Sequence, residues 1–241
     1  MTTAANAVPA SGAAGDGAGP RAILAIWPSI AGALLFRYAA YAVMTALALW
    51  AEMRPAPTLP DAVLERLPYV PWIDRANYWV WLAVYLPLAA AFLWTEPRRW
   101  VRYMVTGGLV SLARGVTIAL TGMGVPDPAH AGPGIGARDF ATAFAELLSP
   151  IGVFQRGAIA AYLTKDLFFS GHVATTFLLW LYLRGRPRLA PVALVASMAV
   201  TASVLLAHLH YAIDVVGAWA VTFAIFALRE GWPRPRGAAG A

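Results

Sequence analysis

The chain contains no cysteine. Disulfides, thiolate zinc sites and cysteine nucleophiles are therefore excluded. Charge is scarce too: Asp, Glu, Lys and Arg make up 12% of the 241 residues, about half the share usual in a soluble domain. Residues 1–20 are rich in Ala, Gly and Pro, with one acid, Asp16, and no base before Arg21. They lack the basic start and apolar run of a secretory signal and are expected to form a disordered cytoplasmic tail.

What the chain has in excess is apolar surface, at 60% of its residues. A soluble protein of this length could not bury that much, whereas lipid can replace the core as the apolar solvent. The net charge of +6 would point to nucleic acid on a soluble domain. Here the arginines sit beside apolar runs, a membrane-orientation pattern, and no nucleic-acid partner is expected.

Taking ~20 residues as the length needed to cross a bilayer, we find spans near 22–50, 76–95, 100–121, 167–183, 189–207 and 211–228. Spanning segments must satisfy their own backbone hydrogen bonds, so the runs are expected to be helices. The expected fold is all-α, a polytopic bundle of six transmembrane helices over residues 22–229, with a short basic cytoplasmic tail at 230–241. Residues 140–163 are apolar but broken by Glu146, Pro150 and Arg156, and read as an interfacial or re-entrant helix pair. With six spans, Arg21, Arg98, Arg99, Arg102, Arg184, Arg186, Arg188, Arg229, Arg234 and Arg236 share one side. Short arginine-rich connections belong in the cytoplasm. The other side receives loops near 51–75, 122–166 and 208–210, and with them both His172 and His210.

His210 and Asp214 stand four apart at a helix start, so they share a face. The carboxylate can accept a hydrogen bond from one imidazole nitrogen and leave the other as nucleophile or base. The alternative is a structural pair that satisfies a buried acid, although ionisable groups inside a span are costly and favour function. Ser170-Gly171-His172 lies where a loop enters a helix, whose free N–H groups can hold an anion. Ser170 is expected to cap that helix. Gly171 leaves room for a phosphate, and His172 can donate a proton to a leaving oxygen. Arg114 carries a forked, permanent charge suited to phosphate, or else a packing salt bridge to Glu146 or Asp214. Lys165 and Asp166 are candidate headgroup contacts or simply solvated loop charges. His130 and His208 read as structural, and Trp72, Tyr78, Trp79, Trp81 and Trp94 as interfacial anchors. No compact ligand cluster such as His-Glu-x-x-His occurs, so neither metal nor other cofactor is expected.

These residues resemble the sphingomyelin synthases and their relatives. Pro57-Thr58-Leu59-Pro60-Asp61 is similar to that family's Pro-Pro-Leu-Pro-Asp, with Thr58 departing. Arg98-Arg99-Trp100-Val101-Arg102-Tyr103 fits Arg-Arg-x-x-x-Tyr, and Arg114 fits the later arginine. Asp166-Leu167-Phe168-Phe169-Ser170-Gly171-His172 matches Asp-x-x-x-Ser-Gly-His; Thr164-Lys165 replaces the preceding Cys-Gly, and Val173 the following threonine. His210-Tyr211-Ala212-Ile213-Asp214-Val215 is similar to His-Tyr-[Ser/Thr]-x-Asp-Val, with Ala212 departing. The resemblance covers residues 57–217.

It implies a six-span fold with a non-cytoplasmic active site, and exchange of phosphocholine or phosphoethanolamine between a glycerophospholipid donor and a lipid alcohol acceptor such as ceramide. It further implies that His210 attacks phosphorus, Asp214 orients it and His172 protonates the departing diacylglycerol. The related type 2 phosphatidic acid phosphatases also carry Lys-x6-Arg-Pro and Ser-Arg-x5-His. The first is absent here; in the second, Ser203 is present but Val204 stands for the arginine. A phosphate dianion needs several fixed cations, so the departure favours a phosphodiester. The alternatives are a hydrolase of the same superfamily, either lipid phosphatase or phospholipase C, and a silent lipid-binding or transport protein, against which the intact histidine set argues. The Ala- and Arg-rich composition points to a bacterial inner membrane.

Overall fold

The computed structural model describes residues 18–132, 134–149 and 162–231. Residues 1–17 and 232–241, most of the two expected tails, lie outside these, as do Pro150 and Arg156. The fold is an all-α polytopic bundle. Its helices are α1 (Pro20–Ala25), α2 (Trp27–Glu52), α3 (Pro71–Thr95), α4 (Pro97–Leu120), α5 (Phe140–Leu148), α6 (Gly171–Leu183), α7 (Leu189–Leu206) and α8 (Ala212–Glu230). The first four each start with proline in the first turn, where its missing N–H costs nothing and its φ is already helical.

Among the described residues, helices α2, α3, α4, α7 and α8 are the five long and apolar enough to cross a membrane. The fourth expected span differs. Helix α6 has 13 residues, a rise of ~20 Å, against the ~30 Å of a hydrocarbon core. Residues 167–170, expected inside it, are irregular. Side chains of α4 explain why: Arg114 Nε donates to Phe169 O at 2.7 Å and Thr117 Oγ1 to Phe168 O at 2.8 Å. These carbonyls need no helix, and Leu167, Phe169 and Ser170 are buried in protein. Irregular backbone is tolerated at depth under that condition.

Helix α4 is the most buried of the five and packs along α2 and against α6 and α8. Gly115 is what lets α2 come so close, because a Cβ there would lie 2.9 Å from Met44 Cα. The main core joins Phe92, Trp100, Tyr103, Leu178, Tyr182 and Phe226.

Helix α5 has nine residues and does not cross. It packs Ala143 and Leu147 on Leu49, and its last carbonyl accepts from Tyr38 Oη at 2.7 Å. Tyr38 lies ~21 Å along α2 from Glu52. By Leu163 the chain packs against Ala48, Ala51 and Ile118, near the end of α2. Residues 150–161 lie outside the described residues, and with them the rest of the expected interfacial or re-entrant helix pair.

Helices α2, α3, α4, α6, α7 and α8 alternate in direction, which gives the bundle two unlike ends. At one, Glu96 pairs with Arg99 at 2.7 Å and with Arg186 at 2.6 Å, and Arg102 pairs with Glu230 at 2.6 Å. At the other lie the loops 53–70, 121–132, 163–170 and 207–211, with both histidine motifs.

Candidate active site

Helix α8 begins one residue after Tyr211, and its first turn fixes His210. Asp214 Oδ2 accepts from Tyr211 N at 2.9 Å and from His210 Nδ1 at 3.2 Å. The carboxylate is fully buried and His210 nearly so. Because Nδ1 donates to Asp214, Nε2 is the nitrogen left for chemistry.

The second motif is hydrogen-bonded to the first: Ser170 N donates to Asp214 O at 3.2 Å. Ser170 holds the N-cap position of α6, but none of the helix N–H groups donates to its hydroxyl. The expected cap is therefore not formed. Ser170 Oγ is instead buried with no hydrogen-bond partner among the described residues, beside the free N–H groups of α6. His172 follows in the first turn, close enough to His210 and Arg114 for each to act on it electrostatically. Trp81 and Tyr78 of α3 meet its ring edge-on, at 5.1 and 6.4 Å between centroids.

Arg114 is buried, and its donors go to protein. Nε donates to Phe169 O, Nη2 donates to Asp166 O at 2.5 Å and to Asp166 Oδ2 at 2.9 Å, and Nη1 faces Met44 Sδ at 3.3 Å. The salt bridge considered from sequence exists, but its partner is Asp166. Glu146 is exposed and is hydrogen-bonded to Tyr162. Gly171 accommodates this arrangement, since a Cβ there would sit 3.2 Å from the Arg114 guanidinium carbon. Asp166 is thus a partner of Arg114. Lys165 sends Nζ to the carbonyls of Glu52 and Arg54, at 3.0 and 2.7 Å. Both residues hold residues 163–170 in place.

Glu52 and Thr117 escaped the sequence reading. Glu52, buried at the end of α2, accepts from the backbone N–H groups of Thr164 and Lys165 and from Thr164 Oγ1. A lone carboxylate closing an apolar run was its signal. Thr117 stands three after Arg114, on the same helix face.

The loop motif also reaches the site. Asp61 Oδ2 accepts from Ala212 N at 2.6 Å, and Oδ1 from Val63 N and Leu64 N. Burial pushes the Asp61 carboxyl up, but these three donors outweigh it and hold it below its ordinary value. Tyr211 Oη accepts from Leu59 N and donates to Gly124 O, both at 2.9 Å, so three loops meet beside His210. A cavity of about 240 Å3 opens there between Pro60, Asp61, Leu64, His208 and Tyr211; neither His172 nor His210 lines it.

His208 bonds Leu67 O and His130 bonds Asp74, as structural residues do. Ser203 spends its hydroxyl on Asn77 Oδ1 at 2.6 Å, between α7 and α3. Trp72, Trp79 and Trp94 are exposed, as anchors are. Tyr78 is buried and Trp81 half-buried against His172, so the anchor reading fails for these two.

Two imidazoles, one held by a carboxylate, beside helix N–H groups and an unpaired hydroxyl, can bind an anion, attack it and move a proton. Comparison with curated proteins returned no match. Residues 165–230 match the family model described as PAP2 superfamily C-terminal. The matched stretch contains both histidine motifs, and it supports an integral membrane enzyme of lipid phosphatase or phosphotransferase type.

Proposed function

We propose that the protein is a membrane phosphotransferase. It moves phosphocholine or phosphoethanolamine from a glycerophospholipid to a lipid alcohol such as ceramide. The observation that supports this reading best is the Ser170 N to Asp214 O bond, which ties the two distant motifs together. His210 Nε2 attacks phosphorus, the bond from phosphorus to the diacylglycerol oxygen breaks, and His172 gives that oxygen its proton. The headgroup phosphate is now on His210. His172 takes the proton of the acceptor hydroxyl, the new O–P bond forms, and the N–P bond breaks to free His210. Each difficult displacement is thereby split in two. Asp214 holds the His210 tautomer through both steps.

Three features support a phosphodiester over a monoester. Arg114 is already paired with Asp166, Lys165 is occupied by carbonyls, and Val204 stands where the phosphatases carry arginine. A dianion would need more fixed positive charge than this. Hydrolysis by the same site is the second reading, and the superfamily match favours it equally. Buried Leu167 and Phe169 support transfer, since a lipid hydroxyl competes with water only where water is excluded. Purified protein given phosphatidylcholine or phosphatidylethanolamine with ceramide or diacylglycerol forms new phospholipid faster than free headgroup phosphate, by lipid mass spectrometry. Free headgroup phosphate as the dominant product would make it a phospholipase. Faster release of phosphate from phosphatidic acid would make it a phosphatase.

The arginine end is assigned to the cytoplasm and the histidine end to the opposite face. Reporter fusions after Arg186 then read cytoplasmic, and fusions in the loop 121–132 do not. A cytoplasmic signal from that loop would reverse the assignment.

A further inference from the structure

His210 is oriented by a carboxylate. His172 has no such partner: among the described residues, no protein group hydrogen-bonds its ring. A general acid with an unrestrained ring would lose much of its advantage, because misplacement by ~1 Å can cost about 10²-fold in rate. Among the described residues, it is ring packing that holds this imidazole.

Helix α3 supplies it. Tyr78, Trp81 and Tyr85 stand three and four apart and so share one face. Trp81 is fixed from two sides. Its ring stacks on Tyr85 at 5.3 Å and 9°, and Tyr85 Oη accepts from Tyr103 Oη at 2.9 Å. Its Nε1 donates to Thr175 Oγ1 at 3.1 Å. Thr175 in turn donates to Gly171 O at 2.9 Å and His172 O at 3.1 Å. The indole is therefore tied to the very turn of α6 that carries His172, and it meets the imidazole edge-on at 78°. Tyr78 adds a second edge contact at 83°. Edge-to-face pairs of this kind contribute about 0.5–1.5 kcal/mol beyond area burial, enough to favour one ring orientation.

We propose that Trp81 is a positioning residue for the acid–base histidine His172, doing by packing what Asp214 does for His210 by hydrogen bonding. The inference rests on the reading of His172 as the group that protonates the leaving oxygen. It also gives Tyr103, the tyrosine of the Arg-Arg-x-x-x-Tyr motif, a route to the site through Tyr85 and Trp81.

The test uses leaving groups. In purified full-length enzyme, the first turnover is followed with two donors: phosphatidylcholine, whose diacylglycerol oxygen needs a proton, and p-nitrophenyl phosphocholine, whose phenolate leaves without one. For Trp81→Leu, the saturating first-turnover rate with phosphatidylcholine falls by about 10²-fold, while half-saturation barely moves. With the nitrophenyl donor the rate stays near wild type. Trp81→Phe, which keeps a ring but loses the Thr175 bond, recovers part of the loss and guards against misfolding of the leucine variant. Equal losses on both donors would make Trp81 a merely structural residue, and no loss on either would remove it from the site; both overturn the proposal. His172→Ala is run in parallel. If it shows the leaving-group dependence and Trp81→Leu does not, the proposal alone falls. If His172→Ala lacks that dependence, the acid role of His172 falls and the proposal with it.

Discussion

At the arginine end of the bundle, carboxylates meet guanidinium groups; at the histidine end Asp166 does so too, but Glu52, Asp61 and Asp214 meet backbone N–H groups. Glu96 pairs with Arg99 and Arg186, and Glu230 with Arg102. Glu52, Asp61 and Asp214 instead accept from the main chain of Thr164, Lys165, Val63, Leu64, Tyr211 and Ala212. Arg114 and Lys165 complete the pattern by donating to carbonyls. The cause is backbone regularity. Helices at the arginine end turn over in short connections, so charges there are left to staple neighbours and orient the protein. The histidine end buries irregular segments whose N–H and C=O groups have no helix to satisfy them. Charged side chains replace the missing partners, and the loops become rigid enough to carry chemistry.

If the two ends differ in this way, substitutions at the histidine end reduce rate far more than those at the arginine end. The largest of the three expected effects is at Asp214. Asp214→Asn lets an amide N–H donate to His210 Nδ1 and so favours the wrong tautomer, and kcat falls ~10⁴-fold, by analogy with loss of a triad acid. A loss below tenfold would mean that Asp214 serves only the backbone. Next is Arg114→Lys. A lysine cannot bond Phe169 O and both Asp166 oxygens at once. The loop shifts and kcat falls by roughly 10²-fold. Unchanged kcat with a raised KM would instead restore Arg114 to direct substrate contact.

The smallest effect belongs to the arginine end. Glu96→Gln leaves kcat unchanged and lowers stability in detergent by about 1–2 kcal/mol. Burial raises the Glu96 carboxyl, but the hydrogen bonds from Arg186 and Arg99 outweigh it and depress it below its ordinary 4.5. Its contribution is thus present above pH 4.5 and lost as pH falls through the lower folded value. Thermal melts of wild type and Glu96→Gln should converge in that acidic window. Melts that differ by the same amount at all pH values would separate the loss from this ionisation.

The same contrast explains what could be read from sequence. Apolar length located α2, α3, α4, α7 and α8, because helices are written in local composition. The arginines and histidines sorted to opposite ends for the same reason. The start of α6 was misplaced because Phe168 and Phe169 look like membrane helix, and only side chains from α4, some fifty residues earlier, release their carbonyls. Tyr78 and Trp81 were misread because aromatic residues near a span's end look alike whether they face lipid or a histidine. The His210–Asp214 pair was legible because it is local, four residues apart on one helix start. The partners that tie Arg114, Glu52 and Asp61 to other segments, Asp166, Lys165 and Ala212, lie 52 to 151 residues away and leave no periodic trace.

The central claim is that the two histidine motifs form one site working through a phosphorylated His210. Rapid quenching of enzyme with headgroup-labelled phosphatidylcholine, without acceptor, followed by peptide mass spectrometry at neutral pH, tests it directly. Phosphocholine is expected on the peptide bearing His210, removed when ceramide or diacylglycerol is added and absent from His210→Ala, which is also inactive. Normal turnover by His210→Ala, or phosphocholine attached to another residue, would contradict it.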